Sequence, residues 1–317
     1  MKARLIRFRN GLFLLAACLA CAALLKPVQD RIEIHLQSNA ADPDLLYFSS
    51  PSMVRSLALG YDSLLADLYW MRTIQYYGRR DKADRRPVRY RNLAALLDIT
   101  TTLDPDLIDA YRAGSIFLSE PEPIGAGQPG EAIRLLDKGI ASHPDEWQLR
   151  FDKGMICFWF LKDFRKAGTV WLEAGRLPAA PFWMPSLAAM GLSKGGEVDA
   201  AIALWQAQYR ESGRADVRSN AKNHLDSFQV AQDLWTLEFL AGQYREAKGA
   251  LPASLNDLVR AGFARRVPAD PSGVSYDYDP ATGEVKLDPS TKVVFLEVPE
   301  SYKAPFLERL KASLDRP

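Results

Sequence analysis

One pattern recurs three times along this 317-residue chain and restricts its architecture more than any other feature. It first runs Ala132, Leu136, Gly139, Pro144 and then Ala167, Trp171, Ala174, Pro178. It ends as Ala201, Trp205, Gln208, with Ala207 beside the last and no closing proline. The three leading alanines lie 35 and 34 residues apart. That period fits a helix–turn–helix unit, which cannot bury its apolar face alone and must stack on its neighbours. The helix before each pattern carries a glycine, Gly114, Gly154 or Gly191. A fourth, degenerate unit precedes them, with apolar residues from Leu93 to Leu97 and an ending at Leu103-Asp104-Pro105. Small residues let paired helices approach closely, while Leu136, Trp171 and Trp205 fill the space between successive units.

Over residues 89–212 these positions resemble the tetratricopeptide repeat family. The resemblance implies a helical solenoid whose extended surface holds a protein partner, without chemistry of its own. Helix faces carrying Tyr111, Arg112, Arg150, Lys153 and Phe158 would then form the partner-binding surface. Two departures stand out. A Pro/Gly-rich loop at residues 120–130 is longer than the family's turn, and residues 178–185 interrupt the second junction with prolines.

The N-terminus addresses location. Lys2, Arg4, Arg7 and Arg9 precede an apolar run over residues 11–25, which stops at Lys26-Pro27. A positive segment before such a run is a secretory signal or signal anchor, and the positive-inside rule places everything beyond Pro27 across the membrane. Three fates remain open: a retained single-pass anchor in a bacterial inner membrane with the body in the periplasm, lipidation at Cys18 within Leu15-Ala16-Ala17-Cys18, or cleavage and secretion. The anchor is the favoured reading, because the run stays apolar beyond Cys18 and no small-x-small cleavage site lies near Lys26.

Residues 28–51 read as a linker. Leu57, Tyr61, Leu64, Leu68, Met71 and Gln75 are spaced 4, 3, 4, 3 and 4 apart, which predicts one amphipathic helix over 52–78. A charged run, residues 79–91, follows. After the array, 215–248 reads as one or two helices. Ser254 then caps a short helix with Asp257 at the capping-box position, and Gly262 stops it. Strands are predicted at 274–278, 284–287 and 292–298, and a helix at 302–314. The sequence Leu-Pro-Ala-Ser-Leu at 251–255, with Asp-Pro at 270–271 and Tyr-Asp-Tyr-Asp-Pro at 276–280, resembles the soluble end of pseudopilin-like envelope proteins. This implies a small α+β module. The expected class is mainly α, a solenoid between an anchor and that module. The divisions are 1–27 anchor, 28–51 linker, 52–212 array, 213–248 helical extension and 249–317 module.

Chemistry is sparse. Lys and Arg number 40 against 39 Asp and Glu, so no net field draws the chain to nucleic acid. His35, His143 and His224 lie far apart with no zinc spacing, and no phosphate-binding or nucleophile-elbow motif occurs. No metal or cofactor is expected. Asp277, Asp279 and Glu284 offer two or three oxygens to a calcium ion, but Asp-Pro-Ala-Thr-Gly is first a hairpin turn. Asp62, Asp67 and Arg72 allow a second reading, an envelope enzyme or polysaccharide-processing accessory with a site between the 52–78 helix and the repeats. Carboxylates five positions apart point to different helix faces, which argues against it.

Overall fold

The structure is a computed structural model and describes residues 27, 50–78 and 90–314. It is mainly α-helical, and between Pro51 and Leu314 the described residues form twelve α-helices and two short strands. The described residues fall into two compact units divided between Asp104 and Pro105.

The first unit contains α1 (Pro51–Leu57), α2 (Asp62–Tyr77) and α3 (Leu93–Leu103). Pro51 opens α1 at a position where its missing N–H has no helical partner to lose. The helix expected over 52–78 is broken: Leu59 and Gly60 both take positive φ, 51° and 89°, and turn the chain between α1 and α2. Both helices pack on α3 around Val54, Ala58, Ala66, Ile99 and Leu103. The side of α2 turned to this core carries Ala66, Thr73 and Tyr76. The Thr73 hydroxyl satisfies the carbonyl of Tyr69 one turn back. Tyr90 braces the end of α2, donating to the Tyr77 carbonyl at 3.0 Å and meeting Tyr76 edge-on. The stripe Leu57, Tyr61, Leu64, Leu68, Met71 is therefore the uncovered side.

The second unit begins with six helices: α4 (Ile108–Ser119), α5 (Pro129–Ser142), α6 (Trp147–Trp159), α7 (Phe164–Ala174), α8 (Met184–Lys194) and α9 (Val198–Glu211). Each packs on its sequence neighbours, and α4 also touches α6. The recurring small residues lie where helices meet. A Cβ on Gly154 would come 2.2 Å from Nε1 of Trp171, so glycine is what lets the indole lie on α6. That Nε1 donates to the Phe151 carbonyl at 3.1 Å. Between α7 and α8 the two backbones touch, since a Cβ on Gly191 would lie 2.8 Å from Cα of Gly168. Trp171, Trp205, Tyr111 and Leu136 are among the side chains removed from solvent.

Next comes α10 (Ala215–Lys248), a single helix of 34 residues, about 51 Å long at 1.5 Å per residue. Its first half meets α9 and shares a core with Trp205, Phe228 and Tyr302. Its second half shares another with Leu255, Leu258, Tyr276 and Val285. The short α11 (Leu255–Arg260) has the expected capping box between Ser254 and Asp257, and Gly262 beyond it takes φ 81°. Strands β1 (Asp277–Tyr278) and β2 (Val285–Lys286) form an antiparallel pair. The stretch 292–298, expected as a third strand, is extended but unpaired. It is held to α10 by Ser227, whose hydroxyl accepts from Leu296 N at 2.9 Å. A 3-10 turn (Glu300–Tyr302) leads into α12 (Lys303–Leu314), which returns to α10. Tyr302 fixes that return: its hydroxyl accepts from Gln232 at 2.9 Å and from Arg309 at 3.1 Å.

One loop in this region titrates. The buried Asp270 carboxylate accepts from the Ser272 and Val274 backbone N–H groups and from the Ser272 and Thr291 hydroxyls. Burial alone would raise its pKa, but these bonds outweigh it and hold the group at about 2. An unfolded Asp titrates near about 3.9, so the loop's stabilisation is complete above that pH and drains away as pH falls towards 2. Asp270→Asn is expected to lower stability at pH 7 by about 1–3 kcal/mol, since donors lose an ionised acceptor. It also flattens the acid limb between pH 4 and 2, read by near-UV circular dichroism of both proteins through an acid titration.

Candidate functional site

The five side chains expected to face a partner divide into two groups. Tyr111 is fully buried and Phe158 nearly so, which corrects their reading as surface residues: both rings are spent inside the helix packing. The Tyr111 ring lies where a Cβ on Gly139 would be 2.9 Å away, and the Phe158 ring meets Trp171 and Phe164. The three cations are partly exposed and bonded to their own fold. Arg112 Nε donates to Asp152 Oδ2 at 2.7 Å, joining α4 to α6. Burial pushes the Asp152 carboxyl up, and the Arg112 bond recovers only part of that cost. Lys153 pairs with Asp137 of α5, and Arg150 donates to the Pro144 carbonyl.

A different place in the same unit has the features of a binding site. Phe164 of α7, Met190 and Lys194 of α8, Trp205 of α9, His224 and Phe228 of α10, and the extended residues Glu297, Val298 and Pro299 line a cavity of about 260 Å³. Trp205 reaches it because Ala201 and Ala221 leave room between α9 and α10. The Trp205 indole stacks flat on the His224 imidazole, 4.1 Å between centroids. Burial lowers the His224 pKa, which favours the neutral ring for this stack. Trp205 Nε1 is buried and finds no acceptor among the described residues. A buried donor left unpaired costs about 1–3 kcal/mol. Lys194 stands at the rim, its ammonium 5.8 Å from the Phe158 ring and 5.9 Å from the Phe164 ring. Phe158 thus reaches the site only by holding Lys194.

No family model, curated protein or solved structure matches the chain. Its function has to be read from this geometry.

The remaining candidates are quickly placed. On α2, Asp67 is exposed, while Asp62 in the first turn has one carboxylate oxygen buried without a partner. Asp279 spends its carboxylate on Ala281 N and the Thr282 hydroxyl, and Glu284 pairs with Lys286, so the 277–284 segment uses these groups to make its turn. Among the described residues no three His, Cys, Asp or Glu side chains gather as metal ligands would. His143 Nε2 lies 2.9 Å from the Pro105 carbonyl. Trp159, Phe160 and Trp183 are exposed. The N-terminal run, Cys18 and His35 lie outside the described residues; no described helix is long and apolar enough to cross a membrane. The cavity was not foreseeable as a unit, since its walls come from residues between 164 and 299. The hint in sequence was Trp205 and His224 beside two apolar helices.

Proposed function

We propose that this chain is a membrane-tethered scaffold of the tetratricopeptide type, with a small pseudopilin-like α+β module after the array, that binds a protein partner in a bacterial envelope and carries out no chemistry itself. The cavity beside Trp205 carries this reading. Its lining is largely apolar, the Trp205 indole and the His224 imidazole stack in its wall, and a lysine stands at its rim. At about 260 Å³ it falls below the range of about 300–1,000 Å³ in which small-molecule and cofactor sites lie. A side chain or a backbone carbonyl of a partner segment suits that size. Periplasmic placement follows from the charge pattern of residues 1–27 and completes the proposal.

The test is photocrosslinking in the native host. A photoreactive amino acid is placed at Met190, Lys194 or Val298 around the cavity, and at Ala141 and Lys248 elsewhere. One common adduct from the three cavity positions, absent from the two others, is the expected result. Equal adducts from all five positions, or none from the cavity, would sink the reading.

A further inference from the structure

An uncovered apolar face lies on the first unit. Leu57, Leu64, Leu68 and Met71 each expose between 49% and 59% of their surface, and Tyr61 and Ile74 continue the patch. On α2 the stripe is narrow and continuous, because steps of three and four residues return to one side of a helix. The opposite side of the same helix is occupied against α3. So α2 is apolar on two sides, and only one of them has a partner within its unit. Isolated exposed leucines need no explanation, but a row of them along one helix does.

We infer that this face of α1 and α2 rests on the surface of an anionic lipid bilayer, the membrane in which the N-terminal run is proposed to be anchored; the inference rests on that tether. Two observations favour a bilayer over other occupants. The first is reach. The apolar run ends at Leu25 and α1 begins at Pro51. A flexible coil of the 25 residues between them has an r.m.s. span of about 30 Å, so the tether holds the face at high local concentration near the membrane. The second is charge. Residues 79–91, next after α2, hold seven Lys or Arg against Asp81 and Asp84, in a chain whose total charge is only +1. Within the exposed arc itself, Asp67 is the acidic side chain, set towards one edge of the Leu64–Leu68–Met71 row. An apolar stripe followed in sequence by a basic segment is the pattern of an interfacial helix, whose leucines reach the acyl boundary.

The test uses the full chain with Cys18 and Cys21 changed to serine and the buried Cys157 left in place. Leu64→Cys, Leu68→Cys, Met71→Cys and the exposed control Ala141→Cys are each labelled with a polarity-sensitive fluorophore. The chains are reconstituted in phosphatidylglycerol–phosphatidylethanolamine vesicles and in phosphatidylcholine vesicles. The expected result is quenching of the three stripe probes by a lipid-borne nitroxide about fivefold stronger than the control, with the reverse order for aqueous iodide, as an interfacial position dictates. The contrast should shrink without anionic lipid. Carbonate extraction of the same vesicles reads the tether separately. Stripe probes in water on a carbonate-resistant chain overturn the docking and leave the tether standing. Lipid-quenched probes on a carbonate-extracted chain overturn the tether and leave the docking. Probes shielded from both quenchers, with Leu68→Cys crosslinking copy to copy, would replace the bilayer with a second chain and overturn the inference.

Discussion

Trp171→Ala is expected to destabilise the second unit by about 3–5 kcal/mol, the range for deleting a fully buried aromatic, and to do so in a way that depends on residue 154. Trp171 is fully buried, its ring lies 5.6 Å from that of Phe158, and its N–H satisfies the Phe151 carbonyl. Alanine removes all three and leaves the space unfilled. Trp171→Phe should recover most of the packing, but loses the indole bond to the Phe151 carbonyl. Gly154→Ala on its own costs about 1–3 kcal/mol, because its methyl meets the indole. Once the indole is gone, the same change should cost nothing, or gain up to about 1 kcal/mol from alanine's better helix propensity. Urea unfolding of the four proteins of this cycle, in detergent and followed at 222 nm, measures the coupling. Additive effects would mean that α6 and α7 do not meet through this pair.

The second large effect is at the α7–α8 crossing. Gly168→Val should cost about 3 kcal/mol or more, at the upper end for overpacking, because the new Cβ lies 2.5 Å from the Leu192 backbone nitrogen. A side chain could rotate away; backbone cannot, so the helices must separate. Phe164 on one and Met190 and Lys194 on the other line the cavity. The proposed partner adduct from Met190 should therefore fall together with stability. Gly242→Ala on α10 is the control. Nothing lies within 4 Å of its new methyl, and it should be neutral or stabilising by up to about 1 kcal/mol. A Gly168→Val chain as stable as the parent would remove the close approach from the description.

These two sites also indicate which parts of the fold could be read from sequence. Trp171 recurs with the period of the array and Gly154 is one of the glycines in the helices before the pattern, and a period reports contacts repeated between neighbouring helices. The capping box at Ser254 and the stop at Gly262 are local chemistry and lie where expected. The buried side of α2 was hidden for a physical reason. Hydrophobic periodicity weighs large aliphatic side chains, and those are on the uncovered side. The covered side packs through Ala66, Thr73 and Tyr76, which such a pattern passes over. The β-branched run at 292–298 signalled a strand, yet its bonds go to the Ser227 side chain instead of a neighbouring strand. Tyr111 and Phe158 are on helix faces that the repeat resemblance assigns to a partner, but burial depends on the next helix. The cavity depends on segments more than a hundred residues apart, beyond the range of any local pattern.

The clasp at Ser227 has a temporal consequence. The wall formed by Glu297, Val298 and Pro299 is made last, more than ninety residues after Trp205. At a synthesis rate of about 5–20 residues per second, the Trp205–Phe228 surface waits roughly 5–20 s for its cover. During that interval the nascent chain presents an apolar groove in place of a closed cavity. A holding chaperone has its best opportunity then, and a ribosome that stalls after α10 releases a chain with that groove still open.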